Sequence, residues 1–263
     1  MVTGMEVFRR HFAGYEDAFV VIGGAACDEW FARMGGRFRA TKDIDLVLVL
    51  DAVLPRFAGR FWEFIQLGRY AVAQRSDGKR AFYRFQKPQT ADYPKMIELL
   101  STAPVGMEPP PGRQVTPLPV GEDISSLSAI LMDPEYHGYV MATRDVVEGL
   151  PLLRPEGLIA LKAKAWLDLS SRRAAGDTTV KEDDVNKHRS DVFRLSSILP
   201  AGTRFEVPGS IQADLHQFAA SFPPASPEWP AIVAAVRSSG IRLDKAGLLG
   251  ALTSAFGLEE DAT

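Results

Sequence analysis

Cysteine is almost absent from this chain of 263 residues, since Cys27 is the only one. No disulfide can therefore form within the chain, which is compatible with a reducing compartment. Neither sign of charge is in large excess, because 30 Lys and Arg stand against 33 Asp and Glu. This balance gives no overall basic signal for DNA or membrane binding, although a local basic patch remains open.

Long apolar runs are also missing. No charge-free apolar stretch reaches the length that spans a bilayer, and the first ten residues contain no apolar core of signal-peptide length. The 4 histidines form no zinc-ligand spacing with Cys27. We therefore expect a cytoplasmic protein that has no membrane partner and no zinc site.

The chain divides by pattern into a mixed α/β half and a helical half. Short apolar runs between glycine and proline turns predict strands in the first half, and after Pro155 the apolar residues recur at helical spacing. The expected domains are 1–150 and 151–263. The segment 104–123 is proline-rich and 172–187 is charge-rich, so the first is predicted to be a loop and the second to be mobile. Strands are predicted at 18–22, 43–50, 81–86, 95–100, 126–132 and 139–142, and helices at 5–13, 25–34, from Pro55, from Pro155 and at 191–199.

Two carboxylates enter one of the predicted strands. Asp43 and Asp45 precede the apolar run Leu46 to Leu50, and residues two apart in a strand project to the same face. Like charges held together are unfavourable unless a cation compensates them. A divalent metal that holds a phosphate explains the pair, because Mg²⁺ commonly takes one or two carboxylates together with substrate phosphates. We expect Mg²⁺, or Mn²⁺, at this position.

A glycine turn stands about twenty residues before the Asp pair. Gly23 and Gly24 follow the predicted strand and precede a predicted helix. Glycine allows the backbone to approach a phosphate closely, and N–H groups at a helix start can bind it. A Gly-Gly pair alone is often only a turn. The order of strand, glycine pair, helix and Asp-x-Asp strand is more specific than any of its parts.

A third acid interrupts a later apolar run. Glu98 lies within Met96 to Leu100, where a buried acid needs a partner. It is expected to face either solvent or the Asp pair. In the second case the three acids would hold metal, and one of them could accept a proton from an attacking hydroxyl.

With these motifs the chain resembles the nucleotidyltransferase superfamily, and within it the AbiEii-like toxins of type IV toxin–antitoxin systems. The resemblance covers about residues 20–200. Its motifs are Ile22-Gly23-Gly24-Ala25, Arg39-Ala40-Thr41-Lys42-Asp43-Ile44-Asp45-Leu46, Lys95-Met96-Ile97-Glu98-Leu99-Leu100, Leu158-Ile159-Ala160-Leu161-Lys162 and Lys187-His188-Arg189-Ser190-Asp191-Val192.

The resemblance implies a nucleotidyltransferase-type mixed sheet flanked by helices, followed by a mainly helical region. It also implies roles for individual residues. Asp43 and Asp45 would bind the metal, Gly23 and Gly24 would line the triphosphate, and Lys162 would contact phosphate. We further expect Glu98 among the metal ligands and Thr41 among the nucleotide-binding residues. The last motif would supply Asp191, to orient the active-site base or a basic partner.

The chain departs from the family pattern in two places. Gly24 stands where the superfamily often has serine, and His188 stands where an aspartate is common. Lys164 competes with Lys162 for the role of helical lysine, and a solvated position for both lysines is the alternative. Arg37 and Arg39 precede the Asp pair. They would neutralise a triphosphate, follow an RNA backbone or simply lie at the surface.

The leading hypothesis is transfer of a nucleoside monophosphate from an NTP to an acceptor. The resemblance suggests tRNA as the acceptor, a toxin role and a separate cognate antitoxin protein as partner. One alternative is transfer to a small molecule such as an aminoglycoside hydroxyl. Another is a non-catalytic NTP-binding or interaction module with the same fold.

Overall fold

The structure is a computed structural model that describes residues 2–49, 55–76, 81–101, 116–117, 130 and 133–258. Its fold is mixed α/β, with one sheet, flanking helices and a helical second half, as the sequence predicts. The described residues form two compact units. The first comprises those within Met1–Glu29, Ala40–Glu122 and Arg144–Leu153, and the second those within Trp30–Arg39, Asp123–Thr143 and Arg154–Thr263.

The first unit contains the sheet. Its helices are α1 (Met5–His11), the start of α2 (Gly23–Arg33) and α3 (Pro55–Leu67). Its strands are β1 (Phe19–Ile22), β2 (Asp43–Leu48), β3 (Ala71–Ser76), β4 (Ala81–Gln86), β5 (Met96–Ser101), β6 (Thr116–Pro117), β7 (Arg144–Val147) and β8 (Leu150–Leu153). Among the described residues the strand order is β6-β3-β4-β5-β2-β1-β8-β7.

The centre of the sheet positions the candidate site. Strand β2 is antiparallel to β1, with Asp45 opposite Ile22, and parallel to β5, with Asp45 opposite Glu98. Every residue of β1 is buried, as expected for a central strand whose two faces are both covered. The apolar run in β2 is likewise buried from Leu46 to Leu48.

Phenylalanine side chains fill the core of the first unit. Phe8 on α1 contacts Phe19 of β1 and Phe64 of α3, with both pairs of ring centroids 5.6 Å apart. Phe61 on α3 contacts Phe85 of β4 at 5.3 Å. Buried aromatic rings contribute large apolar areas. They hold the two helices against the sheet that carries the acids.

The second unit is helical. It contains the end of α2 and the helices α4 (Pro134–Ala142), α5 (Pro155–Ala174), α6 (Glu182–Ser196), α7 (Gly209–Ala220), α8 (Trp229–Arg237) and α9 (Lys245–Phe256). The predicted apolar face of α5 is buried at Leu158, Leu161, Ala165 and Leu169. Rings of α5 to α8 form an aromatic core, in which Phe193 lies 5.2 Å from Trp229 between ring centroids.

One prediction for the middle of the chain needs correction. Residues 139–142 are helical in α4, not a strand. Asp133 accepts hydrogen bonds from the N–H groups of Glu135 and Tyr136, and Pro134 occupies the first turn, so local capping determines the helix. The segment 172–187 is helical at both ends, and between them Asp177 accepts bonds from Arg172 and Thr179.

Other differences are omissions. Strands β3, β7 and β8 have no clear predictive pattern, because they are short or polar and lack a clear alternation. Strand β6 lies in the predicted loop 104–123 and pairs with β3. Most of the predicted loop at 104–123 and most of the predicted strand at 126–132 lie outside the described residues. The two units also do not follow a single cut at residue 150, since β8 pairs with β1 through Leu152 and Val21 and therefore belongs with the sheet.

Candidate functional site

The Asp pair lies beside the point where β1 ends and α2 begins. Asp43 and Asp45 are both half-buried and share a face of β2. Because Asp45 pairs with Ile22, the last residue of β1, its carboxyl group is next to the backbone that starts the helix. The strand thus brings two carboxylates to the glycine turn, as the sequence order predicts.

Glycine is required at the first position of this turn. Gly23 has a φ of +67°, and a Cβ placed on it would overlap Oδ2 of Asp45. A side chain at residue 23 would therefore be strained by its backbone angle and would also displace a site carboxylate. The close approach observed here is to the carboxyl group of Asp45, and the predicted approach to a phosphate stays a prediction.

The second glycine is tightly packed too. A Cβ on Gly24 would lie 2.6 Å from Oγ1 of Thr41, so Thr41 lies directly against the first turn of α2. The Sγ of Cys27 donates to the carbonyl of Gly23 at 3.0 Å and is buried, consistent with a small core residue. The structure thus gathers Gly23, Gly24 and Thr41 around the start of an eleven-residue helix.

The third acid faces the Asp pair. Glu98 pairs directly with Asp45 in the parallel β2–β5 register and therefore lies on the same face of the sheet. Its side chain is buried, and it forms a side-chain hydrogen bond with Asp45. Of the two orientations left open for Glu98, the one toward the Asp pair is correct.

Arg84 compensates the charge of Glu98. It lies opposite Glu98 on β4, and its Nε donates to Oε1 of Glu98 at 2.9 Å. Burial raises the pKa of Glu98 above its usual range, and the nearby charge of Asp43 adds to this, while Arg84 opposes it. The sequence carries no local signal for this ion pair, because only the β4–β5 register places the two residues opposite each other.

The donor set at this face suits an oxygen-preferring cation. Among the described residues, no group of three or more His, Cys, Asp or Glu side chains is arranged to hold a metal ion alone. One oxygen of Glu98 is bonded to Arg84. Asp43 and Asp45 still supply the one or two carboxylates that Mg²⁺ uses when phosphates complete its coordination. Glu98 as a third ligand stays a prediction.

Lys162 and Asp191 form a buried ion pair in the second unit. The Nζ of Lys162 on α5 lies 2.9 Å from Oδ2 of Asp191 on α6, and the two side chains are 2% and 0% exposed. A lysine is almost never buried unless it is paired. Lys162 is therefore not a solvated surface residue, whereas Lys164 is 37% exposed and pairs with Asp214.

Asp191 is shared by two further cations that the sequence predictions did not place. Arg39 donates from Nε to Oδ1 at 3.0 Å and from a terminal nitrogen to Oδ2 at 2.8 Å, and Arg194 donates to Oδ1 at 2.9 Å. Burial alone would raise the pKa of Asp191, but the charges of Lys162 and Arg39 hold it well below its usual range. One carboxylate thus compensates three cations. We call Arg39, Lys162, Asp191 and Arg194 the basic cluster.

His188 is buried beside the basic cluster. Its pKa lies well below the ordinary 6.5, first because of burial and then because of the charges of Lys162 and Lys187. The imidazole is therefore neutral at pH 7. An aspartate at this position would instead have added a second negative charge to the cluster.

The spacing of Asp191 and Arg194 could have revealed part of this cluster. Residues three apart on a helix are neighbours, and this pair is such a neighbour on α6. Arg39 carries no such local signal, because it lies 152 positions before Asp191. Only the tertiary fold of the second unit brings these two residues together.

No described helix of the chain is both long and apolar enough to cross a membrane.

The chain matches no family model and no curated protein. It is similar to one solved structure, that of an antigenic nucleotidyltransferase-like protein from Paracoccidioides brasiliensis. The sequences are 14% identical, the match covers 89% of this chain and 90% of that chain, and the TM-score is 0.42. A likeness of this degree says nothing about activity, which has to be inferred from the residues of the site.

Proposed function

We propose that the protein is a Mg²⁺-dependent nucleotidyltransferase that moves a nucleoside monophosphate from an NTP to an acceptor. One observation carries the proposal. The glycine turn that starts α2 is packed against Asp45, on the face of the sheet where Asp43 and Glu98 also lie. A phosphate-binding helix start beside paired carboxylates is the combination that metal-assisted phosphoryl chemistry needs.

In this proposal Asp43 and Asp45 hold the metal, with Mn²⁺ as a substitute. The bound cation would neutralise triphosphate charge and favour the departure of pyrophosphate. The N–H groups around Gly23 and Gly24, with the hydroxyl of Thr41, would bind the triphosphate. An acceptor oxygen forms a bond to the α-phosphorus, and the bond from that phosphorus to the β-bridging oxygen breaks.

Glu98 is proposed to take the proton of the attacking hydroxyl. Its raised pKa brings it closer to the range of an effective general base at neutral pH. Arg84 donates to Oε1 and would orient the carboxyl group of Glu98 in this scheme. The orientation of Glu98 toward Asp45 also favours catalysis over the non-catalytic module, for which we would expect the third acid to point away.

The basic cluster is proposed to bind phosphate through Lys162. Arg39, Lys162 and Arg194 all bond to Asp191, which fixes the lysine in place. Cationic side chains held in this way bind phosphate through charge-assisted hydrogen bonds. Asp191 then acts as the partner of basic residues rather than of a catalytic base.

The acceptor and the biological role remain proposals from sequence resemblance. We propose tRNA as the acceptor, and growth inhibition countered by a separate antitoxin protein as the role. Transfer to an aminoglycoside-like hydroxyl is the alternative. An adjacent gene for a small helix-turn-helix protein would support the toxin role, and its co-expression should restore growth of cells that make the protein.

Labelled NTPs test the activity. The protein should transfer label from α-³²P NTP to bulk tRNA in the presence of Mg²⁺ but should not transfer label from γ-³²P NTP. Asp43→Asn should lower the rate by about 10²-fold or more, whereas Asp17→Asn, an exposed control acid, should not. Transfer of the γ label, or equal transfer by Asp43→Asn, would overturn the proposal.

A further inference from the structure

A second basic region lies in the helical unit, apart from the residues of the basic cluster. A cavity of about 560 Å³ is lined by Arg37 and Arg237. A neighbouring cavity of about 850 Å³ shares Arg237 and adds Arg242. We call these two openings with their three arginines the arginine groove.

The arginines of this groove have no internal counter-ion. Arg37, Arg237 and Arg242 are exposed and make no ion pair or side-chain hydrogen bond within the part of the chain that the structure describes. The acid at the groove, Asp244, is used locally, since its Oδ1 accepts the N–H of Gly247 and caps α9. Three cations against one acid leave the groove positively charged in a chain with a net charge of -3.

The backbone that carries Arg37 is fixed. The N–H of Gly36 donates to the carbonyl of Phe31 at 2.9 Å. Next to Arg37, Phe38 is buried, 5.2 Å from Phe31 between ring centroids and under the guanidinium of Arg39. Fixed backbone reduces the entropy lost when Arg37 binds a ligand.

The groove also has an apolar side. Its first cavity is lined by Phe31, Ile198 and Met34, and Met34 is 61% exposed. A large exposed apolar side chain next to unpaired arginines matches a ligand that carries phosphate beside a flat apolar ring. Nucleotides have this chemistry, because a base stacks on apolar or sulfur-containing side chains while guanidinium groups bind its phosphate.

We propose that the arginine groove binds the phosphates and bases of a nucleotide-containing ligand, either a free nucleotide or an RNA strand. The binding does not depend on the proposed transferase activity. The same charge disfavours cationic ligands such as aminoglycosides. Arginine contacts to a phosphate backbone weaken with salt, because counter-ions are released on binding.

Fluorescence anisotropy with a labelled twelve-nucleotide single-stranded RNA tests the proposal. Arg37→Gln, Arg237→Gln and Arg242→Gln should each weaken binding by about three- to tenfold and lower the salt slope by about 0.7. Arg144→Gln is the matched control, because Arg144 is exposed on β7 and makes no ion pair within the described part of the chain. Arg37→Lys should keep part of the affinity.

Competition by AMP distinguishes a free nucleotide from an RNA strand as the ligand of the arginine groove. Displacement of the RNA by AMP at millimolar concentration, with the same dependence on the three arginines, identifies a single-nucleotide site. Displacement only by unlabelled RNA identifies a strand. Equal binding by the wild type and all three Gln variants would overturn the proposal, as would an equal loss in Arg144→Gln. The same binding assay on Asp43→Asn separates this result from failure of the proposed transferase, because binding here should survive that change.

Discussion

At the scale of single residues, the most consequential finding is the shared carboxylate of Asp191. Three cations donate to it, and two of them, Lys162 and Arg194, are themselves buried. Removing one partner of a buried ion pair is far more costly than the net contribution of the pair, because the remaining charge stays desolvated. Loss of the carboxylate of Asp191 should therefore lower the stability of the second unit strongly.

Asp191→Asn should lower the free energy of unfolding by about 3 kcal/mol or more. Urea unfolding at pH 7 measures this change. Asp184→Asn is the control on the same helix, since Asp184 is 47% exposed and pairs with Lys187. It should cost less than about 1 kcal/mol. Equal losses in the two variants would show that Asp191 does not compensate the buried cations.

His188 should make stability depend on pH. Its folded pKa lies below the ordinary 6.5, so as pH falls through that value the unfolded chain gains a proton that the folded chain does not. The neutral imidazole of His188 therefore contributes fully to the free energy of unfolding above pH 6.5. This contribution is lost on acidification, by up to about 1.4 kcal/mol per pH unit.

Unfolding free energies from pH 8 to pH 5 measure this dependence. The difference between wild type and His188→Gln should shrink as pH falls, whatever the absolute cost of the substitution. His216→Gln, at an exposed position on α7, should keep the wild-type profile. A constant difference between wild type and His188→Gln would contradict a buried neutral imidazole.

At the scale of elements, the junction of β1 and α2 determines the candidate site. Both positive φ and contact with Asp45 demand glycine at residue 23. Gly14 also has positive φ, +86°, but a Cβ there would meet nothing within 4 Å. Substitutions of Gly14 and Gly23 therefore share the strain of positive φ, and only a substitution of Gly23 also disturbs the contact with Asp45.

Gly14→Ala should lower the free energy of unfolding by about 1–2 kcal/mol, because alanine is strained in the left-handed backbone conformation. Gly23→Ala should lower the free energy of unfolding by measurably more than Gly14→Ala does, because it also displaces the carboxyl group of Asp45. It should weaken Mg²⁺-dependent nucleotide binding, which Gly14→Ala should leave unchanged. Thermal unfolding and calorimetric titration measure the two effects. Equal destabilisation with unchanged binding in Gly23→Ala would show that the contact with Asp45 is unimportant.

Sequence patterns predicted the elements around the site because local signals determine them. The apolar strand β1, the glycine turn and the Asp-x-Asp strand are continuous in the chain and bear strong periodicity. Tyr139 was assigned to a strand because its short apolar run is ambiguous, and the cap at Asp133 decided for helix instead. The N-cap at Asp133 is the local signal that predicts a helix here, and the pattern of apolar residues alone does not distinguish helix from strand.

At the scale of the whole molecule, what could not be predicted depends on long-range register. The bond from Arg84 to Glu98 requires the β4–β5 pairing, and the bond from Arg39 to Asp191 requires contacts within the second unit between distant segments. Neither has a local sequence signal. The sequence motifs identified the acids and the lysine, whereas the fold identified the arginines that compensate them.

The central claim is that Asp43 and Asp45 hold a divalent cation with a nucleotide. Electron paramagnetic resonance of Mn²⁺ titrated into the protein with each of the four NTPs measures this directly. The wild type and Asp17→Asn should bind Mn²⁺ with at least one NTP. Asp43→Asn and Asp45→Asn should each bind it at least about tenfold more weakly. Equal Mn²⁺ affinity in the wild type and both site variants would contradict the claim.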